Sequence, residues 1–172
     1  MLKDAPYEHY AYDGAPALNQ FLDGLETSRS GESEPHRTVI GHSYGTTVVG
    51  AAAQTGRLNA DDVIFAGIPG VKVSRANELD VPEGHVWNEE ADGDVVPDIG
   101  RWGHGGNGFV IPSDPEFGAN ETTTDTHGHS GYWDKDSQAG PSQSLLNQAL
   151  VIVGKGGEVP LKPRPDPWVH VK

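Results

Sequence analysis

Apolar residues recur along the chain in short runs whose spacing changes from helical to strand-like and back. Leu18, Phe21, Leu22 and Leu25 repeat at i, i+3, i+4, i+7, the stripe of an amphipathic helix starting at Gly14 and stopped by the polar stretch Ser28–Pro35. Asp13 stands where an N-cap is expected and Pro16 fits a first turn. Residues 1–13 read as irregular. His36-Arg37-Thr38-Val39-Ile40 then predicts a strand running into Gly41, and Thr46–Ala53 a helix of small residues closed by Gly56. Val63-Ile64-Phe65-Ala66 predicts a second strand, and His85-Val86-Trp87-Asn88 a weaker third.

From Asp92 to Asn120 the pattern lapses into glycine and proline, which predicts a long functional loop. A last helix is expected from Pro141 to Val153, its apolar face being Leu145, Leu146, Ala149, Leu150, Ile152 and Val153. The tail, residues 158–172, is proline-rich and predicted to be extended. Strands alternating with helices define an α/β class, a mostly parallel sheet flanked by helices. The chain reads as a single domain, 1–172, with its core at 14–157.

Composition narrows the function classes. The 172 residues carry 12 Lys plus Arg against 25 Asp plus Glu, a formal net charge of −13. Such a surface repels phosphate backbones and anionic lipid heads, so a nucleic-acid partner is not expected. No apolar run reaches the length of a membrane span, and acidic residues occupy the N-terminus where a signal peptide needs an apolar stretch. The chain as given therefore reads as soluble, and as cytoplasmic if complete. With no cysteine, thiolate chemistry and disulfides are excluded.

Candidate chemistry begins at Gly41-His42-Ser43-Tyr44-Gly45. A bare Gly-x-Ser-x-Gly decides nothing, but this one sits between a predicted strand and a predicted helix. A serine on that sharp turn is lifted above the sheet as a nucleophile, and the helix behind it aims its N–H groups at developing negative charge. The Tyr44 backbone N–H is the expected oxyanion donor. His42, adjacent to the serine, points elsewhere and is not the base.

The acid should follow a later strand, at Asp94 with Asp92 in reserve. The base should precede the last helix, at His129 with His127 in reserve. Asp125, His127 and His129 also form a compact set of potential ligands, so a metal-dependent hydrolase is an alternative. The leading reading needs no metal and no cofactor.

Taken together, Thr-Val-Ile-Gly-His-Ser-Tyr-Gly-Thr-Thr, Gly93-Asp94, His129-Ser130-Gly131-Tyr132-Trp133 and Ser144-Leu145-Leu146-Asn147 resemble an actinobacterial α/β-hydrolase family first catalogued as a domain of unknown function. The resemblance covers residues 14–157. It implies Ser43 as nucleophile, Asp94 as the acid that orients the base, and His129 as base, in a hydrolase whose substrate the family does not define. The leading reading is a serine hydrolase acting on an ester, thioester or amide of a small-molecule acyl substrate through an acyl-enzyme.

Measured against the complete fold, the first four strands have no counterpart here, so a partial α/β-hydrolase fold is expected, its nucleophile strand left as an exposed edge open to self-association. The missing part normally supplies a second oxyanion donor. A remnant that binds without catalysing is a further alternative. His104-Gly105-Gly106-Asn107-Gly108 looks like a lipase oxyanion motif but follows the serine instead of preceding it, and reads as a flexible loop at the site mouth.

Overall fold

The computed structural model describes residues 7–28, 35–136 and 140–163. In chain order its elements are α1 (His9–Ser28), β1 (Thr38–His42), α2 (Tyr44–Thr55), β2 (Asp62–Ala66), β3 (Val86–Glu89), α3 (Val96–His104), β4 (Asn120–Glu121), β5 (Lys135–Asp136), β6 (Gly140–Pro141) and α4 (Gln143–Ile152). β1, β2, β3 and β4 form one parallel sheet in that order, while β5 and β6 make a small antiparallel ladder.

The sheet is covered on both faces, and β2 shows why. All five of its residues are buried. Val63 and Phe65 point into a core shared with Ala11, Ala15 and Leu22 of α1 and Val49, Ala51 and Ala52 of α2. Ile64 faces the other way, onto Trp87, Val151 of α4 and Val159. A strand buried on both faces reads as a continuous apolar run, as Val63–Ala66 does. β1 lies at one edge of this sheet, and no described strand pairs with its outer side.

Four expectations need correction. α1 starts at His9, so Asp13 is not its cap and Pro16 lies inside it. Ala11 and Ala15 extend its buried face toward the N-terminus, whereas Phe21 is exposed. Small alanines carry a weak hydrophobic signal yet let α1 lie close on α2.

The 92–120 stretch is not structureless. It contains α3, a turn of 3₁₀ helix at Asn107–Phe109 and the start of β4.

His104–Gly108 is packed against the chain after β2. A Cβ on Gly106 would come within 2.4 Å of the Val73 carbonyl oxygen, and one on Gly70 within 2.2 Å of the His104 carbonyl. That is a close fit, not a flexible loop.

α4 turns a different face inward from the one its leucines suggest. Ser144, Asn147, Gln148 and Val151 are buried, while Leu146, Ile152 and Val153 are exposed. The buried amides find partners: Asn147 Nδ2 donates to the Thr123 carbonyl at 2.8 Å and Gln148 Nε2 to Glu89 Oε2 at 2.8 Å. Buried polar groups are tolerated when bonded. Ser142 caps the helix, its hydroxyl accepting from the Leu145 N–H.

Of the tail expected to be extended from residue 158, Glu158 instead closes a 3₁₀ turn, Gly156–Glu158. Thr123 and Lys162 N–H groups bond to the carbonyls of Pro160 and Glu121, laying residues 160–162 antiparallel beside β4. Residues 164–172 lie outside the described part.

Glu89, at the end of β3, is fully buried, and its second carboxyl oxygen has no hydrogen-bond partner among the described residues. Burial pushes its carboxyl up to about 8, against the lowering by Gln148 and Asn147. The folded chain therefore holds a proton that the unfolded chain releases near 4.5, so this group's contribution to stability falls as pH rises from about 4.5 through about 8. Glu89→Gln, a neutral isostere, should flatten the melting temperature across that window and raise it at the alkaline end. Thermal melts of both proteins at several pH values check this; parallel pH profiles would contradict it.

Candidate active site

Ser43 sits at the junction of β1 and α2 with φ 53 and ψ −131, a left-handed conformation that a non-glycine residue adopts at a cost of about 1–3 kcal/mol. Its own N–H is held by the Ala66 carbonyl at 3.1 Å, tying the turn to the end of β2. Gly41 permits the turn, since a Cβ there would press to 3.0 Å on Thr46 Cα. Gly45 has no such neighbour within 4 Å, so close approach does not explain it. Thr46 and Thr47 hydroxyls both donate to the Gly70 carbonyl, at 3.1 and 3.0 Å, fixing the first turn of α2 against the chain after β2.

The remaining groups come from the segments that follow β3 and β4. His129 Nε2 lies 2.8 Å from Ser43 Oγ, and its Nδ1 lies 3.0 and 3.1 Å from the two Asp94 oxygens. A carboxylate only accepts, so Nδ1 carries the hydrogen and Nε2 is left to accept the serine proton. The Asp94 side chain is wholly buried, the His129 ring partly open. Burial pushes the Asp94 carboxyl up, but hydrogen bonds from Tyr132, the Val96 N–H and His129 outweigh it and hold the group below the ordinary aspartate value. It stays ionised beside the imidazole.

The reserve residues lie elsewhere. Asp92 and His127 face each other across 3.9 Å on the surface, their side chains 95% and 79% exposed. Asp125 accepts from the Gln143 N–H at the start of α4. Among the described residues no three histidine, aspartate or glutamate side chains gather as a metal site, so the Asp125, His127 and His129 set does not form.

Two positioning residues escaped the sequence. Tyr132, fully buried, donates its hydroxyl to Asp94 Oδ2 at 2.7 Å and accepts from the Ala91 N–H. Burial and the Asp94 charge beside it push the phenol well above its ordinary value, keeping it a donor. His42 Nε2 donates to the His129 carbonyl at 2.8 Å, and its ring packs against those of His129 and Trp133. His42 therefore faces the site instead of pointing away from it, and braces the loop that carries His129.

Both positioning contacts join residues far apart in the chain, so no local spacing marks them. A cleft of about 490 Å³ lined by Arg75, Asp80 and Glu116 lies at the opposite, N-terminal end of β3 and takes no part in this arrangement.

The segment bearing the serine and the aspartate, residues 1–103, matches the model of a family described as alpha/beta hydrolase. The chain belongs to that family. The family match ends before His129, which reaches the site from the remainder of the chain. Among curated relatives of this alpha/beta hydrolase, an uncharacterized protein of Mycobacterium bovis is 35% identical over 107 residues, 59% of this chain and 39% of the relative. An uncharacterized protein of Mycobacterium tuberculosis is 26% identical over 189 residues, covering 92% of this chain and 28% of the relative. The chain thus spans well under half the length of these relatives. No solved structure gives a significant match. No helix among the described residues is long and apolar enough to cross a membrane.

Proposed function

We propose that this alpha/beta hydrolase is a serine hydrolase that cleaves an ester, thioester or amide of a small acyl substrate through an acyl-enzyme on Ser43. The observation that carries the proposal is the hydrogen-bonded line from Ser43 Oγ through the His129 ring to buried Asp94.

In this mechanism Ser43 Oγ attacks the acyl carbonyl while His129 Nε2 takes its proton. Asp94 stabilises the imidazolium and keeps the ring in its working tautomer without itself becoming protonated. The carbonyl oxygen gathers negative charge near the Tyr44 N–H, the first amide of α2, where helix N–H groups have no internal acceptor. The tetrahedral adduct collapses, the leaving group departs with the proton from His129, and the acyl group stays on Ser43. Water then attacks the ester, giving its proton to His129, and the acid is released as Oγ recovers that proton. Tyr132 and His42 act through Asp94 and His129 as positioning residues. Self-association through the open edge of β1 belongs to the same proposal.

A fluorophosphonate probe tests it. The full protein should be labelled on Ser43, Ser43→Ala should not be labelled, and dialysis against a strong chelator should leave labelling unchanged. Labelling that survives the substitution removes Ser43 from the chemistry.

A further inference from the structure

The end of β2 meets both halves of the site. The Ala66 carbonyl accepts the Ser43 N–H, and Gly67 follows with φ +59. A Cβ built on Gly67 would lie 2.9 Å from Asp94 Oδ2, 3.0 Å from His129 Nδ1 and 3.0 Å from Tyr132 Cε2. These neighbours are the groups that bond to one another, since His129 Nδ1 and the Tyr132 hydroxyl lie 3.0 and 2.7 Å from that same Asp94 oxygen. Ordinary contacts to carbon are about 3.5–4.0 Å, so a methyl group here would displace three neighbours at once, each by roughly half an ångström.

Little around it can yield. The Gly67 N–H is bonded to the Glu89 carbonyl at 3.2 Å, which ties the backbone to the end of β3. The Asp94 side chain is wholly buried and also accepts the Val96 N–H at 3.0 Å. The Tyr132 ring is fully buried against Ala66 and Ala91. Of the three neighbours only the His129 ring is partly open, so the displacement falls on it.

A positive φ by itself favours glycine, so backbone strain and lost space must be told apart. Gly84 separates them. Its φ is +82, and nothing lies within 4 Å of an added Cβ. Alanine at Gly84 meets the left-handed strain alone, before β3 and away from Ser43.

We propose that Gly67 is a positioning residue of the Ser43 centre: the bare end of β2 leaves the room in which Asp94, His129 and Tyr132 bond to one another. It acts through His129 and touches no substrate. The inference rests on the hydrolase reading above for the chemistry, and on the Gly67 clearances alone for the geometry.

Two measurements test it. Long-range proton–nitrogen NMR of protein isotopically labelled in its histidines reads which ring nitrogen carries the hydrogen, at alkaline pH where a free imidazole is neutral. The His129 signals are assigned by their absence from His129→Ala. In the parent and in Gly84→Ala the hydrogen should sit on Nδ1, and in Gly67→Ala it should shift toward Nε2, because the acceptor that fixes the tautomer is out of line. Turnover of p-nitrophenyl acetate is measured well below the melting temperature of each variant. Its kcat/KM should fall by about tenfold in Gly67→Ala, as expected for a reacting group misplaced by a fraction of an ångström. Gly84→Ala should change it by less than about twofold. If Gly67→Ala does not fold, adding His129→Ala should restore a cooperative melt, because removing the ring frees the space that the Cβ needs. A Gly67→Ala protein that keeps the parent's tautomer or the parent's turnover, or one that stays unfolded without the His129 ring, overturns the proposal. Failure of the hydrolase reading is a separate outcome: the hydrogen moves in Gly67→Ala while Ser43 of the parent stays unlabelled by fluorophosphonate.

Discussion

Asp94→Asn should lower ester turnover by about 10⁴-fold, and His129→Ala by a similar or larger factor, with little change in melting temperature for the histidine variant. The asparagine side chain can present an N–H to His129 Nδ1, so the ring is pushed to the tautomer whose Nε2 carries a hydrogen and cannot take the serine proton. It also loses the charge that stabilises the imidazolium. His129→Ala removes the proposed base, whose Nε2 lies 2.8 Å from Ser43 Oγ in the parent protein. Asp92→Asn and His127→Ala are the controls. Both side chains lie on the surface and touch neither the serine nor His129, so each should change kcat/KM by less than about twofold. Steady-state kinetics of the four variants on one activated ester check the ranking. A larger loss for Asp92→Asn than for Asp94→Asn would reassign the acid.

Gly50→Ala should cost several kcal/mol, enough to abolish a cooperative melt in a domain of ordinary stability. A Cβ at this position would lie 1.6 Å from the Val71 carbonyl oxygen and 2.5 Å from its carbon, both backbone atoms with no rotamer to escape by. α2 would have to lift from the chain after β2. That movement would break the Thr46 and Thr47 bonds to the Gly70 carbonyl, the same bonds that hold the first turn behind Ser43. Gly24→Ala in α1 is the control, because nothing lies within 4 Å of its added carbon. It should be neutral or stabilise by about 0.5–1 kcal/mol, the ordinary gain of alanine over glycine in a helix. Thermal and urea melts of the two variants decide the point. A Gly50→Ala protein as stable as its parent would mean that α2 and residues 70–71 are not in contact.

What the sequence made legible was local. Val39-Ile40 before Gly41 and the small residues after Gly45 announce a strand, a turn and a helix, and these elements lie within a few residues of the expected bounds. Val63–Ala66 is apolar at every position because both sheet faces are covered. The order serine, aspartate, histidine, each beside a predicted element, pointed to three side chains that the fold brings within hydrogen-bonding distance.

What failed was nonlocal or ran against the usual pattern. α3 was hidden because its apolar side faces solvent and its inner side is glycine, proline and histidine, a composition that reads as loop. The leucines of α4 suggest the wrong face because Leu146 and Ile152 outweigh Asn147 and Gln148 on any hydrophobic count. Their bonded partners, among them the Thr123 carbonyl, Glu89 and the Gln143 side chain, make those amides cheaper to bury. Tyr132 and His42 reveal their roles through contacts with residues 38 and 87 positions away, which no spacing rule along the chain can find.

The central claim is a covalent bond between substrate and Ser43. The direct measurement is rapid acid quenching of the protein mixed with excess p-nitrophenyl acetate, followed by peptide mass mapping. A single acetyl group on the peptide containing Ser43, formed within the first turnover and absent from Ser43→Ala, is the expected result. Turnover of the ester with Ser43 never acetylated, or acetylation that persists on another residue in the Ser43→Ala protein, would contradict it.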